Sequence, residues 1–192
     1  MQMYFDKINP KYYESIKDYR QELLNIESEF DGCSQLEKYD DIKKWDLNNK
    51  LFESKDTIPP GYSLSFEYLY IEENEVVGMV NFRPQIENNQ FLKLYGGHIG
   101  YNVKPSKRGK GIGSKMLKDF LEICKNEYSL NKVMISCIKS NKASKKIILN
   151  NNGVFESEIL YKPKNEMLER YWIDLDEKIS NNCKWYNLFV FI

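Results

Sequence analysis

Arg108 is followed by Gly109, Lys110, Gly111, Ile112, Gly113 and Ser114, three glycines and two cations between an apolar run and a helix-like one. Glycine gives up more backbone freedom on folding than any other residue, so such a cluster implies that something must come close to the main chain. A phosphate is the natural visitor. A nucleotide-hydrolysing P-loop needs GxxxxGK[ST], and here Ser114 and Lys115 follow Gly113 in the wrong order. A dinucleotide fingerprint needs GxGxxG, but Ser114 stands where its third glycine belongs. What remains is Arg108-x-x-Gly111-x-Gly113 at the mouth of a helix, where unpaired N–H groups and the helix dipole favour a diphosphate. Two other residues have the chemistry of a base. His98, the one histidine of the chain, titrates near neutrality by default, and Glu67 sits in an otherwise apolar strand-like run. Arg83 reads as a solvated strand end or an ion-pair partner.

The elements that must position these groups follow from periodicity. Tyr12, Ile16, Tyr19, Leu23 and Leu24 predict a helix over residues 11–25, and a weaker helical region covers Ser34–Phe52. SFEYLYIE and VVGMVNF read as a hairpin turning at Glu73–Glu75. Tyr95–Val103 is a third strand broken by glycines. Ile112, Met116, Leu117, Phe120, Leu121, Cys124 and Tyr128 form an amphipathic stripe. KVMISCI (Lys132–Ile138) is apolar enough to be a buried strand. Asn141 or Ser140 caps a short helix ending at Asn150–Gly153, and RYWIDL (Arg170–Leu175) is a late strand. The order is helices, hairpin, strand–helix–strand–helix, strand: an α/β chain with one βαβ-like unit carrying the glycines.

Composition bounds the function. The 192 residues suit a single domain over 1–192, with 42% hydrophobic and 29% charged residues. Lys+Arg and Asp+Glu balance at 28 each, so charge gives no support to nucleic-acid or membrane partners. Cys33, Cys124, Cys137 and Cys183 lack zinc-ligand spacing, and no metal is expected. No run approaches the ~18 apolar residues of a membrane span. With no apolar leader in MQMYFDKINPKYYESIKDYR, the expectation is a cytoplasmic protein.

"IGYNVKPSKRGKGIGSKML" resembles the fourth strand, pyrophosphate loop and following helix of the GNAT acetyltransferase superfamily, whose signature is R/Q-x-x-G-x-G/A. "KVMISCIKSNKASKKIILNNNGVFE" is similar to that family's fifth strand and Asn-led helix. The resemblance covers residues ~60–175, and "GGHIGY" with "RYWIDL" is similar to a bacterial subgroup of predicted acetyltransferases. It implies a mixed, highly twisted sheet of six or seven strands, flanked by helices and splayed between the fourth and fifth strands. It also implies acetyl-CoA as co-substrate. The pantetheine would pair with Tyr101, Asn102 and Val103, and residues Arg108, Gly109, Lys110, Gly111, Ile112, Gly113 and Ser114 would take the diphosphate. Asn141 and Ser144 would contact the cofactor. The Val103 N–H would donate to the thioester oxygen.

The family commonly has a tyrosine seven residues after the asparagine, as acid for the departing thiolate. Ile148 stands there and cannot donate a proton, which leaves substrate or solvent to protonate the sulfur. The implied reaction is direct acetyl transfer to a primary amine, with His98 or Glu67 as base. The missing tyrosine also keeps open a non-catalytic acyl-CoA-binding module. The acceptor side would be shaped by the first helices, whose Glu27, Glu29, Asp31, Glu37, Asp40 and Asp41 suit a cationic amine or simply face solvent. The apolar tail KWYNLFVFI reads as a final strand, a homodimer contact or a swapped segment.

Overall fold

A computed structural model describes residues 2–26 and 29–176. The apolar tail (176–192 in the sequence reading), Cys183 and Glu27 therefore fall outside the described residues, except for Asp176 at the edge of the tail.

Among these residues, seven strands and four α-helices run β1 (Met3–Lys7), α1 (Tyr13–Leu24), α2 (Ile42–Phe52), β2 (Phe66–Glu72), β3 (Glu75–Phe82), β4 (Ile99–Val103), α3 (Ile112–Asn126), β5 (Lys132–Ile138), α4 (Lys142–Asn150), β6 (Val154–Tyr161) and β7 (Glu166–Asp174). The expected single mixed sheet is two antiparallel sheets, β1-β2-β3-β4 and β5-β7-β6, and the break lies between β4 and β5. Sequence periodicity located both helical regions, the hairpin, α3, β5, α4 and β7. It missed β1 and β6. Neither is a continuous apolar run: β1 is an edge strand pairing with β2, and β6 an edge strand pairing with β7, both half exposed.

Alternation along the strands builds two cores. Leu69, Ile71, Val76 and Met79 face α1 and α2, where they bury Ile16, Tyr19, Leu23 and Trp45. Tyr68, Tyr70, Val80 and Phe82 face the other way, onto Met116, Leu117, Phe120 and Cys124 of α3 and Ile148 of α4. The stripe predicted on α3 is this buried face.

The strand expected at Tyr95–Val103 is only half strand. Residues Leu92–Gly96 wind into a single π-helical turn, and extended pairing starts at Ile99. Gly97 makes the transition at φ +64, and a Cβ there would lie 2.5 Å from the Met134 carbonyl oxygen. Only glycine allows the chain to come this close to β5. At this point the two sheets are tied: the His98 N–H donates to the Met134 carbonyl at 2.8 Å, and the Met134 N–H donates back to His98 Nδ1 at 2.9 Å. Beyond this throat β4 and β5 diverge.

The loop leaving β4 is held from below. Lys104, 5% exposed, pairs with Glu75 at 2.7 Å and Glu22 at 3.4 Å, while Lys107 reaches Glu72 and Glu75. The glycine segment thus starts from a point fixed to α1 and to the β2–β3 hairpin.

His98→Ala removes the side-chain half of the throat and leaves a buried Met134 N–H without its acceptor. The expected cost is about 1–3 kcal/mol of unfolding free energy, measured by denaturant titration. A variant as stable as the wild type would show that the throat is held by backbone alone.

Candidate active site

Hydrogen-bond parity decides what β4 offers to the gap. The Arg83 N–H donates to the His98 carbonyl and the Lys104 N–H to the Val77 carbonyl. In an antiparallel ladder the even-numbered residues between them therefore bond β3. Ile99, Tyr101 and Val103 must then aim their N–H and C=O groups at the opposite edge, toward β5. A cleft of about 530 Å³ opens there.

Tyr101, Asn102, Val103, Arg108, Gly109, Gly111, Gly113, Ser114, Asn141 and Ser144 all line this cleft. Ile112 is buried against the α3-side core, and Lys110 is exposed with its Nζ donating to the Ser106 carbonyl. Gly109 (φ +77) and Gly111 (φ +82) hold left-handed turns with nothing within 4 Å of a built Cβ. They bend the chain into the α3 N-terminus and leave its mouth open. Gly113 differs. Its backbone is ordinary, and a Cβ would lie 2.6 Å from Ile147 Cδ1, so this glycine lets α3 and α4 approach each other. Arg108 also turns inward: its Nε donates to the Val103 carbonyl at 2.9 Å and its guanidinium to Asn102 Oδ1 at 3.0 Å. Asn141 caps α4, its Oδ1 accepting the Ser144 N–H at 3.0 Å.

The sequence reading missed Lys146, Ile147 and Asn150, which line the cleft with Ala143. Spacing of i, i+3, i+4 and i+7 puts these four on one face of α4, a signal present in the sequence.

The opposite face of the sheet carries a buried polar row. Glu67 lies beside Asn81, and Asn81 beside Gly100. The Ser34 hydroxyl donates to Glu67 Oε2 at 2.6 Å and accepts from Asn81 Nδ2 at 2.8 Å. Glu67 is 1% exposed and its Oε1 has no hydrogen-bond partner. Burial pushes its carboxyl up to about 8, against the pull of Ser34, Asn81 and the charges of Arg83 and Lys7. At Gly100 the missing side chain leaves room for Gly32 and the Arg83 guanidinium. Gly32 (φ +71) presses so close that a Cβ would sit 2.3 Å from the Tyr101 nitrogen. The α1–α2 loop therefore rests directly on β4.

His98 is elsewhere. It lines a separate cavity with Glu87, Lys132 and Trp172. Burial lowers its pKa, and its Nδ1 is occupied as an acceptor. Among the described residues, no group of His, Cys, Asp or Glu is arranged to hold a metal ion, and no helix is long and apolar enough to cross a membrane.

A family model described as acetyltransferase (GNAT) family matches residues 20–149, which include the end of α1, the β4–α3 loop and nearly all of α4. The chain belongs to the GNAT acetyltransferase family. No curated protein sequence matches it. Among solved structures, it is similar to a Salmonella typhimurium acetyltransferase that modifies the N-terminal serine of a 50S ribosomal subunit protein. Identity is 17% and the TM-score 0.68, over 92% of this chain and 96% of that one. A spermidine N-acetyltransferase chimera from Vibrio cholerae aligns at 13% identity and TM-score 0.63, over 91% and 96%. The yncA protein of Salmonella typhimurium, solved with acetyl-CoA, aligns at 13% and 0.59, over 94% and 98%. At such identities the likeness is one of fold, and it is the GNAT fold.

Within that GNAT fold the buried glutamate has a thermodynamic signature. A glutamate in an unfolded chain titrates near about 4.3. Between that value and about 8 the folded chain keeps the Glu67 proton while the unfolded chain has lost it. This group's contribution therefore falls as pH rises through that window and is level above it. Glu67→Gln should be more stable than wild type above pH 8, by on the order of 1–3 kcal/mol. Near pH 4 the two should match. Unfolding curves across pH test this, and parallel profiles for the two proteins would refute it.

Proposed function

We propose that the chain transfers an acetyl group from acetyl-CoA to a primary amine, directly, in a ternary complex. One observation carries the reading. The edge of β4 that β5 leaves without a strand partner has an open helix mouth at one end and a buried carboxylate of raised pKa on the face opposite α3 and α4.

The fit to acetyl-CoA rests on the chain's own groups. The outward N–H groups of Tyr101 and Val103 and the Tyr101 C=O present a strand edge to a pantetheine arm. The α3 mouth, kept open by Gly109 and Gly111, presents N–H groups to a diphosphate. Bound there, acetyl-CoA supplies an activated acetyl thioester. The Val103 N–H is placed to donate to the carbonyl oxygen as charge gathers on it. Arg108 takes the Val103 carbonyl, which fixes the orientation of that strand end.

Glu67 is the residue proposed as base, in preference to His98. A base near neutral pKa is the most effective at neutral pH, and Glu67 lies on the α1–α2 side, opposite α4. Two strand spacings separate it from β4, about 10 Å, so its proton arrives through a water or along the acceptor itself. His98 lines a different cavity, with Nδ1 occupied.

The deciding experiment incubates the protein with acetyl-CoA and a panel of amines, reading CoA release and acetylated product by mass spectrometry. Binding of CoA with no transfer to any amine would favour the non-catalytic module, the reading that Ile148 suggests.

Two variants sharpen the test. Ser114→Asp puts a carboxylate in the first turn of α3, which suits the helix dipole but opposes a diphosphate. CoA affinity should fall by at least about 100-fold in calorimetry with apo melting unchanged; retained affinity would place the diphosphate elsewhere. Glu67→Gln should lower kcat by roughly 10²–10⁴-fold. It should also remove a limb in kcat/KM near pH 8, measured with an amine that titrates outside that window. An unaltered limb would acquit Glu67.

A further inference from the structure

Tyr101 does something with its side chain that its backbone role does not require. Odd-numbered residues of β4 face α3 and α4, and the Tyr101 ring runs across the open gap to α4. There its hydroxyl donates to the Ser144 carbonyl at 3.3 Å and meets Ser144 Oγ at 2.8 Å, a contact in which either hydroxyl can donate. Ser144 stands one helical turn before Ile148, on the same face of α4. Cys137 of β5 closes the group, with the Ser144 hydroxyl beside its thiol.

Resting on the acetyl-transfer reading, we propose that the Tyr101 hydroxyl, steered by Ser144, donates the hydrogen bond that receives the departing CoA sulfur.

Elimination supports the assignment. Four hydroxyls line the cleft. Ser136 donates to the Tyr95 carbonyl on the other face of β5. Ser114 is in the first turn of α3, bonded by Asn150 Nδ2. Tyr101 lies two residues before Val103, the proposed donor to the thioester oxygen, with its side chain on the same face of β4, and Ser144 reaches it from α4. Ile148 is fully buried in the α3-side core and has no proton to give. Burial raises the Tyr101 phenol, so it remains a protonated donor throughout the working pH range.

The chemistry balances. The amine nitrogen bonds the acetyl carbon, and the C–S bond breaks with its electron pair going to sulfur. The proton shed by nitrogen goes to Glu67. The sulfur leaves as a thiolate; the Tyr101 O–H turns to it from the Ser144 carbonyl while Ser144 Oγ–H donates to the phenol oxygen, and the thiolate takes a proton from solvent on release. The phenol keeps its own proton, so no tyrosinate has to form.

A donor aimed at sulfur must favour the thiolate form of bound CoA. The test titrates the thiol of CoA bound to the intact protein by thiolate ultraviolet absorbance. In the wild type it should ionise at least about one pH unit below the ~8.5 of a free thiol. Tyr101→Phe should return it to the free value with CoA affinity within a few-fold, and Ser144→Ala should return it part of the way. Acetyl transfer by Tyr101→Phe should be roughly 10–100-fold slower in kcat, with KM for acetyl-CoA unchanged. Identical thiol titrations in wild type and Tyr101→Phe would overturn the proposal while leaving the acetyltransferase reading intact. A wild-type chain that binds no CoA would remove both.

Discussion

The reciprocal hydrogen bonds between His98 and Met134 are the constraint on which the architecture turns. They join two antiparallel sheets at one point, and among the described residues no backbone hydrogen bond links β4 to β5 beyond it. A continuous ladder would satisfy every backbone group between the strands and leave no site. A complete separation would expose two hydrophobic layers. One tie, made by a neutral imidazole standing in for a backbone carbonyl, allows the sheets to share the α3-side core while the strands splay. The price of the splay is a strand edge that β5 does not pair, and that edge is what a ligand's amides can use.

The splay also sorts the two faces by chemistry. On the α3 and α4 side are the helix mouth, the cap at Asn141 and the hydroxyls of Tyr101 and Ser144. On the α1 and α2 side, Glu67, Asn81 and Ser34 form a row that ends at Gly100. Burying Glu67 with one oxygen unpartnered is unfavourable: Ser34 and Asn81 bond a single oxygen, the charges of Arg83 and Lys7 offset only part of the penalty, and burial still dominates. A hydrophobic residue would pack there more stably. Such a local loss of stability is characteristic of a group kept for its chemistry.

Signals short in range were legible in the sequence. The glycine cluster, the α3 stripe, the apolar β5 and the Asn141 cap each reside in a few neighbouring residues, and the structure places them as expected. What was hidden depends on contacts between distant segments. Gly113 reads like its neighbours, yet it serves Ile147 on another helix. Arg108 reads as a cation for phosphate, yet its guanidinium bonds the end of β4. His98 has the titration range of a base, but its partner is 36 residues away in sequence. Ser34, 33 residues from Glu67, carried no sign that it would cover a buried carboxylate. Edge strands β1 and β6 escaped because half-exposed strands lack the apolar runs that mark central ones.

Ile148 shows why a residue at a family's catalytic position can change without emptying the site. It is fully buried among the residues that bind α4 to α3 and the sheet, and its neighbour Ile147 fills the space left by Gly113. The two isoleucines draw α4 down onto α3, and an aromatic ring with a polar tip at 148 would have to find both volume and a partner in that packing. With α4 held in this position, Ser144 on the preceding turn comes within 2.8 Å of a phenol projecting from β4. A hydroxyl at the centre of the cleft is thus supplied from the opposite wall. Helix packing and the placement of that hydroxyl are one structural decision, made by the pairing of a glycine on α3 with an isoleucine on α4.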